Sequence, residues 1–310
     1  MAGFERALAG DRRALSRALS SIEDRLPGSL EAVAALRPRR AAAPGAPHVI
    51  GLTGPPGAGK STFANRLVRD ARDRGQQVAV LAVDPSSPFT GGAILGDRIR
   101  LEEHASDPLV FVRSVASRGH LGGLSRATGQ MVDLLDSFGF DLILVETVGV
   151  GQSELGVMEV ADTVIVVLTP ESGDTVQTMK AGLLEIADIF VVNKRDRPGA
   201  EHLRRELEAA VELDSGDGWR PPVHTTAATL GEGMDGVAAD ARLHLAACVG
   251  PQRASWDARR AAGRVRTYLD LIAEDARERA RKALFRDDRV LHEALLAGAI
   301  SPYTAASERS

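Results

Sequence analysis

The stretch His48-Val-Ile-Gly-Leu-Thr53-Gly54-Pro55-Pro56-Gly57-Ala58-Gly59-Lys60-Ser61-Thr62 decides how the chain is read. Its first six residues form a short apolar run of strand type, ended by Gly54. Gly54 through Ser61 fit the pattern G-x-x-x-x-G-K-S, and a helix-forming segment, STFANRLVRDARDR, follows. Strand, glycine-rich loop and helix in that order are the context in which this pattern cradles phosphate. The glycines let backbone N–H groups turn inward around phosphate oxygens. The helix N-terminus adds partial positive charge. Lys60 is then expected to reach the β- and γ-phosphates, and the Ser61 hydroxyl to ligate Mg²⁺. A glycine-rich turn with an incidental lysine would need neither flanking element.

Outward from this stretch, short β-type runs alternate with helical segments. The runs lie at 48–53, 78–83, 109–113, 141–145, 163–168, 189–192 and 223–225. DLILVE and DTVIVVL are continuously apolar inside, as strands buried on both faces are. The alternation predicts an α/β fold with a doubly wound, mostly parallel sheet. On the N-terminal side, Phe4, Leu8, Leu15, Leu19 and Ile22 recur at helical spacing and predict one or two helices over 3–37. A run rich in Pro, Ala and Arg at 38–47 reads as a linker. Beyond about Gly250 the strand signals stop. A long helix is predicted over 252–286, with an apolar stripe of Val265, Leu269, Ile272, Ala276 and Ala280 widened by Tyr268. A short helix over 290–297 follows, and the tail from about Ala305 is expected to fray. The expected organisation is a helical extension (1–45), a nucleotide-binding domain (46–250) and a C-terminal helical arm (251–310).

Composition excludes several classes. Of 310 residues, 44% are apolar and 26% charged, so the chain can build a globular core. A net charge of −4 and only 4% aromatic residues leave no basic, aromatic-rich surface for nucleic acid. The single cysteine, Cys248, cannot form an internal disulfide. The first twenty residues carry charges every few positions, so no apolar signal core is expected. No apolar run approaches the roughly 18 residues of a membrane span. A cytoplasmic protein that does not engage membrane is therefore expected.

The phosphate loop does not choose a base. Asn193-Lys194-Arg195-Asp196 follows the strand run IFVV, 132 residues after Ser61. In an N-K-x-D loop the aspartate carboxylate accepts hydrogen bonds from guanine N1–H and the 2-amino group. Adenine offers no such donor pair and would leave a buried carboxylate unpaired. Discrimination of roughly 10⁴ is within reach of such a mismatch. Lys194 is expected to cover the base and Asn193 to tie this loop to the phosphate loop. Backbone N–H groups of Ala227, Ala228 and Thr229, after the last strand, are candidates to meet guanine O6.

Glu146-Thr147-Val148-Gly149 ends the run DLILV. An acidic residue at this position holds Mg²⁺, and the Gly149 N–H can meet the γ-phosphate. Asp84, at the end of VAVLAV, faces the same edge of the predicted sheet. Asp97 follows the segment SSPFTGGAILG. Both are candidates for the metal shell or for orienting the attacking water, and Gln152 is a candidate to position that water.

Taken together, these stretches resemble the GTPases associated with methylmalonyl-CoA mutase (MeaB and ArgK, and MMAA in mitochondria), members of the G3E group. The stretches are GDRRALSRALSSIE, GLTGPPGAGKSTF, AVDPSSPFTGGAILGDRIR, VETVGVGQSE, ESGDTVQTMKAGLLEIADIFVVNKRD and SPYTAA. The similarity runs through nearly the whole chain. It implies a homodimer built by the C-terminal arm and a chaperone role towards an adenosylcobalamin-dependent acyl-CoA mutase. It also implies that GTP hydrolysis gates cofactor delivery and protects or rescues the mutase. Switch roles carry over to Asp84, Asp97 and Glu146. A partner-sensing loop corresponds to Gly173, Asp174, Gln177 and Lys180, with Ala181 where the family often has a lysine. Two other readings of a phosphate loop are a small-molecule kinase, as in arginine and ornithine transport relatives, and a nickel-insertion GTPase. No dedicated lid or acceptor base marks a kinase, and Cys248 stands alone without the Cys/His pairs of a nickel site.

Overall fold

Each of the seven apolar runs forms a strand, and all seven join one sheet in the order β3-β2-β4-β1-β5-β6-β7. Every pairing is parallel. The computed structural model describes residues 2–36, 45–84, 103–104, 106–116, 126–147, 153–172, 185–214, 218–286 and 288–307. The strands are β1 (His48–Thr53), β2 (Val78–Asp84), β3 (Val110–Ala116), β4 (Leu142–Thr147), β5 (Thr163–Leu168), β6 (Ile189–Val192) and β7 (Val223–Thr225). After β1 the chain winds through β2 and β3, returns to β4 beside β1, then crosses to β5, β6 and β7 on the other side. Ligand sites in such sheets form at the carboxyl ends of the strands, where the winding reverses. The doubly wound parallel sheet predicted from the sequence is the observed fold.

Side-chain alternation sets the two faces. Ile50, Leu52, Val80, Leu142, Leu144, Ile165 and Val167 point to the layer of α4 (Lys60–Asp73) and α8 (Met234–Val249). There they meet Phe63, Leu67, Val68, Val237 and Ala241. On the opposite face Val49, Leu81, Ile143 and Val145 join α5 (Arg126–Phe138). Further along that sheet, α6 (Ser153–Val160) and α7 (Ala200–Asp214) cover Val164, Val166, Phe190 and Val192. Gly51, mid-strand, admits α6 closely: a Cβ there would sit 2.3 Å from Val157 Cγ2.

The N-terminal segment forms three helices, α1 (Ala2–Leu8), α2 (Arg12–Glu23) and α3 (Ser29–Ala34), rather than one or two. Asp11 caps α2 by accepting from the Ala14 N–H at 3.0 Å, and Leu15, Leu19 and Ile22 share a core with α5 and the sheet. Leu8, counted in the predicted stripe, is exposed instead. Glu23 fastens this layer to edge strand β3, pairing with Arg113 and accepting from the Ala116 N–H at 3.1 Å. The Glu23 carboxylate thereby satisfies one backbone donor at the end of this edge strand.

The long helix α9 spans Arg253–Arg286. The chain divides into two compact units, residues 1–260 and 261–310. Within the second unit lie the rest of α9, α10 (Arg289–Leu296) and α11 (Pro302–Ser307). Residues 305–307, where the sequence reading expects fraying, close the helix that begins at Pro302. Ser301 Oγ accepts from the Thr304 N–H at 3.1 Å, and Pro302 begins the helix, where its missing N–H costs nothing.

A buried polar chain lies at the amino ends of the strands. His48 Nε2 is 2.7 Å from Thr163 Oγ1, which is 2.8 Å from His244 Nδ1. Burial, and then the neighbouring His244, push the His48 pKa down to about 3. The unfolded chain binds this proton near pH 6.5 and the folded chain refuses it until about pH 3. Stability is therefore lost as pH falls through that window, with a slope from this residue of up to about 1.4 kcal/mol per pH unit. Denaturant titrations across the window should show a shallower slope for His48→Gln than for the native chain; equal slopes would remove His48 as the cause.

Candidate functional site

The phosphate loop hangs between β1 and α4. Gly54, Gly57 and Gly59 have φ of 134°, 75° and 87°, the left-handed region that favours glycine. Two of them are also sterically forced. A Cβ on Gly54 would lie 1.9 Å from the Val167 carbonyl oxygen, and one on Gly59 would lie 2.6 Å from Asn193 Nδ2. Gly59 precedes α4 without a side-chain cap, so the first turn of that helix presents backbone N–H groups at the loop. Pro55, Pro56 and Ala58 complete the loop, and Thr62 lies in the first turn of the helix. Lys60 is buried, and its Nζ donates to the carbonyls of Gly54 (2.7 Å) and Pro55 (3.0 Å).

Ser61 Oγ donates to Glu146 Oε1 at 2.6 Å, and both residues are buried. The parallel ladder of β1 and β4 sets this meeting, with Leu52 opposite Glu146. Thr147 locks the end of β4 by donating to Thr53 Oγ1 at 3.0 Å. A hydroxyl and a buried carboxylate are hard oxygen donors of the kind Mg²⁺ selects, so these residues fit the ion. Asp84 closes β2, beside β4, at the same carboxyl edge. Asp97, Gly149, Gln152 and the loop residues Gly173, Asp174, Gln177 and Lys180 lie outside the described residues.

Asn193 joins the base loop to the phosphate loop. Its Nδ2 donates to the Ala58 carbonyl at 2.9 Å, and its Oδ1 accepts from Thr226 Oγ1 and the Ala228 N–H, each at 3.1 Å. Lys194 has φ of 57°, one of two non-glycine residues with positive φ among those described. Asp196 is exposed at the loop. The backbone N–H groups of Ala227 and Ala228, expected as donors to guanine O6, have partners within the protein. The N–H of Ala227 goes to the Glu232 carbonyl at 3.1 Å and that of Ala228 to Asn193, so both serve to brace the loop.

Two residues that the sequence reading gave no role enter the site. Glu171 lies 3.9 Å from Lys194 Nζ and pairs with Arg197, on either side of Asp196. Its own backbone N–H, with Thr169 and Arg197, holds its carboxyl below the usual range against the effect of burial. Arg66, on α4, donates to the carbonyls of Ala228 (2.8 Å) and Thr229 (2.6 Å). Glu171 opens the family-like stretch ESGDTVQ and Arg66 lies in no motif, but only the fold brings their side chains to these partners.

A parallel sheet that carries a phosphate loop after β1, bonded to an N-K-x-D loop after β6, defines a P-loop GTPase. The chain belongs to the family described as methylmalonyl Co-A mutase-associated GTPase MeaB, which matches residues 15–284. A Pyrococcus abyssi protein named as a GTPase is 50% identical over 235 residues, covering 74% of this chain and 71% of that protein. GTPase ArgK of Escherichia coli is 39% identical over 235 residues, covering 73% and 70%. The mitochondrial methylmalonic aciduria type A homolog of the mouse is 40% identical over 190 residues, 60% of this chain and 46% of that protein. Among solved structures, the LAO/AO transport system kinase superposes with a TM-score of 0.64 at 27% identity, over 99% of this chain and 94% of that one. The protein is thus a hydrolase that binds GTP and GDP.

Replacing Lys60 by Ala removes the ammonium held at the loop. GTP turnover, followed as phosphate release, is expected to fall about 100-fold or more, the scale for losing a charge that stabilises the transition state. Turnover within about twofold of the native rate would contradict the placement.

Proposed function

We propose that this GTPase is a Mg²⁺-dependent chaperone for an adenosylcobalamin-dependent acyl-CoA mutase of the methylmalonyl-CoA type. It gates cofactor delivery and protects or reactivates the mutase. The observation that carries this reading is the match of residues 15–284 to a family described by its association with that mutase. The resemblance of the mouse relative, whose name refers to methylmalonic aciduria, supports it.

In this reading the loop at 54–59 and the first turn of α4 surround the triphosphate with N–H donors. Lys60 neutralises charge developing on the γ-phosphate oxygens. Ser61 and Glu146, with Asp84 and Asp97, hold Mg²⁺, which when bound offsets phosphate charge as a Lewis acid. Gln152 orients the attacking water and the Gly149 N–H meets the γ-phosphate. Asp196 reads guanine, and Lys194 covers the ring. The segment at Gly173, Asp174, Gln177 and Lys180 contacts the mutase and reports the nucleotide state to it.

The C-terminal arm is proposed to dimerise. Val265, Tyr268, Leu269 and Ile272 fall at helical spacing on α9, and each is at least half exposed. An unpaired apolar stripe of this length is a protein contact surface. The kinase named in the superposed structure supports a second reading, transfer of the γ-phosphoryl group to a small acceptor. Phosphotransfer assays with arginine and ornithine separate it from hydrolysis.

Two measurements test the main reading. A purified adenosylcobalamin-dependent mutase should co-purify with the chain and lose activity more slowly in its presence with GTP. No association in any nucleotide state, with no change in inactivation, would end the chaperone reading. Sedimentation should give a dimer for the native chain and a monomer for Leu269→Glu; a native monomer at micromolar concentration would end the dimer reading.

A further inference from the structure

Arg66 closes a ring of contacts that no phosphate or base motif contains. The phosphate loop offers the Ala58 carbonyl to Asn193. Asn193 Oδ1 takes the Ala228 N–H. The Ala228 carbonyl takes Arg66 Nε at 2.8 Å, and the neighbouring Thr229 carbonyl takes Arg66 Nη2 at 2.6 Å. Arg66 stands on α4, whose first turn begins directly after the phosphate loop. The path therefore returns to its origin: phosphate loop, base loop, 226–229 loop, α4, phosphate loop.

The chemistry of the guanidinium suits this task. It is planar, permanently charged and presents Nε–H and Nη–H side by side, so it can hold two successive carbonyls at a fixed angle. The turn at 227–231 is shaped to receive it. Leu230 N–H and Gly231 N–H fold back to the Ala227 and Ala228 carbonyls at 2.9 and 3.3 Å. Gly231 has φ of 78°, and a Cβ there would lie 3.6 Å from Arg66 Nη1. Both backbone polar groups of Ala228 are thus claimed from opposite sides, the N–H by Asn193 and the carbonyl by Arg66. Asn193 in turn immediately precedes Lys194, and the Arg195 N–H donates to the Thr226 carbonyl at 2.9 Å. Displacing the 226–229 loop would move Asn193 and the residues that follow it.

We propose that Arg66 is a positioning residue for guanine selection: by fixing Ala228 and Thr229 it sets the Asn193–Asp196 loop in register with the phosphate loop. The proposal rests on the base-reading role of Asp196. Without Arg66, phosphate binding persists because the loop at 54–61 and Lys60 are intact. The base loop then has slack, and guanine loses its advantage. An interaction equal in ground and transition states shows in KM and leaves kcat unchanged.

The test uses the full chain with Arg66→Met, Arg66→Lys and, as a control, Asp196→Asn. GDP affinity is read by calorimetry and the GTP/ATP preference by competition. For Arg66→Met the GDP Kd and the KM for GTP should rise about tenfold, as for loss of charge-assisted hydrogen bonds, with kcat within about twofold. The GTP/ATP preference should fall by a similar factor, and Arg66→Lys should recover part of it. If Arg66→Met only lowers the melting temperature and leaves Kd and preference unchanged, the residue is structural and the proposal fails. If Asp196→Asn also leaves the preference unchanged, the base-reading role fails first. Should Arg66→Met not fold, Arg66→Lys carries the same readout, and an unchanged preference there at native stability of the rest of the chain overturns the proposal.

Discussion

The site depends on one register, the parallel pairing that puts Leu52 of β1 opposite Glu146 of β4. That pairing brings the Ser61 hydroxyl, at the head of α4, to 2.6 Å from a buried carboxylate 85 residues later in the chain. A slip of one residue would turn the glutamate side chain to the other face of the sheet. The register is in turn fixed by burial on both faces. Ile50, Leu52, Leu142 and Leu144 must face α4 and α8, while Val49, Ile143 and Val145 must face α5. Hydrophobic packing thus sets the geometry of a polar site, and the site needs no strain of its own to hold it. The locked pair of Thr147 and Thr53 secures the same ladder at its carboxyl end.

The phosphate loop and the N-K-x-D loop lie far apart in sequence, and Asn193 ties them together. Asn193 spends both ends of its amide on this connection, with Nδ2 on Ala58 and Oδ1 on Thr226 and Ala228. An amide suits the place because it donates and accepts at once; a carboxylate there would face the Ala58 carbonyl with no proton to give. Gly59 is the counterpart on the phosphate side, since any side chain would collide with Asn193 Nδ2. Two motifs that read as separate in the sequence are therefore one contact surface in the fold.

What the sequence makes legible follows from locality. The strand runs, the phosphate loop and the helix after it each declare themselves within about ten residues, because period and turn chemistry are local. The N-K-x-D loop is legible for the same reason. Arg66 and Glu171 are not, since each acts on residues brought near only by tertiary folding, 162 and 23 positions away for Ala228 and Lys194. The internal partners of the 227–228 N–H groups are hidden from the sequence for a related reason. Their position after the last strand is local information, but the acceptors that claim them, Asn193 and Glu232, depend on how the loop turns. Leu8 shows the limit of periodicity: it keeps the helical spacing of its neighbours yet falls outside the core, because α1 ends there and the chain turns into α2.

The two ends of the sheet have divided labour. At the carboxyl ends the polar groups face the nucleotide loops. At the amino ends they face one another: Asp188 takes the Val164 N–H, lies 3.2 Å from His244 and pairs with Arg259, while Asp162 takes the Val49 N–H and pairs with Arg260. Burial works against the charge of Asp188, but the hydrogen bond from His244 and the nearby Arg259 outweigh it and keep the carboxyl below its usual pKa. Removing one member of such a buried set leaves the other charge uncompensated, which costs about 3–5 kcal/mol, whereas exposed pairs contribute under about 1 kcal/mol. The first turns of α9 are therefore held by ion pairs from Arg259 and Arg260 to two buried carboxylates.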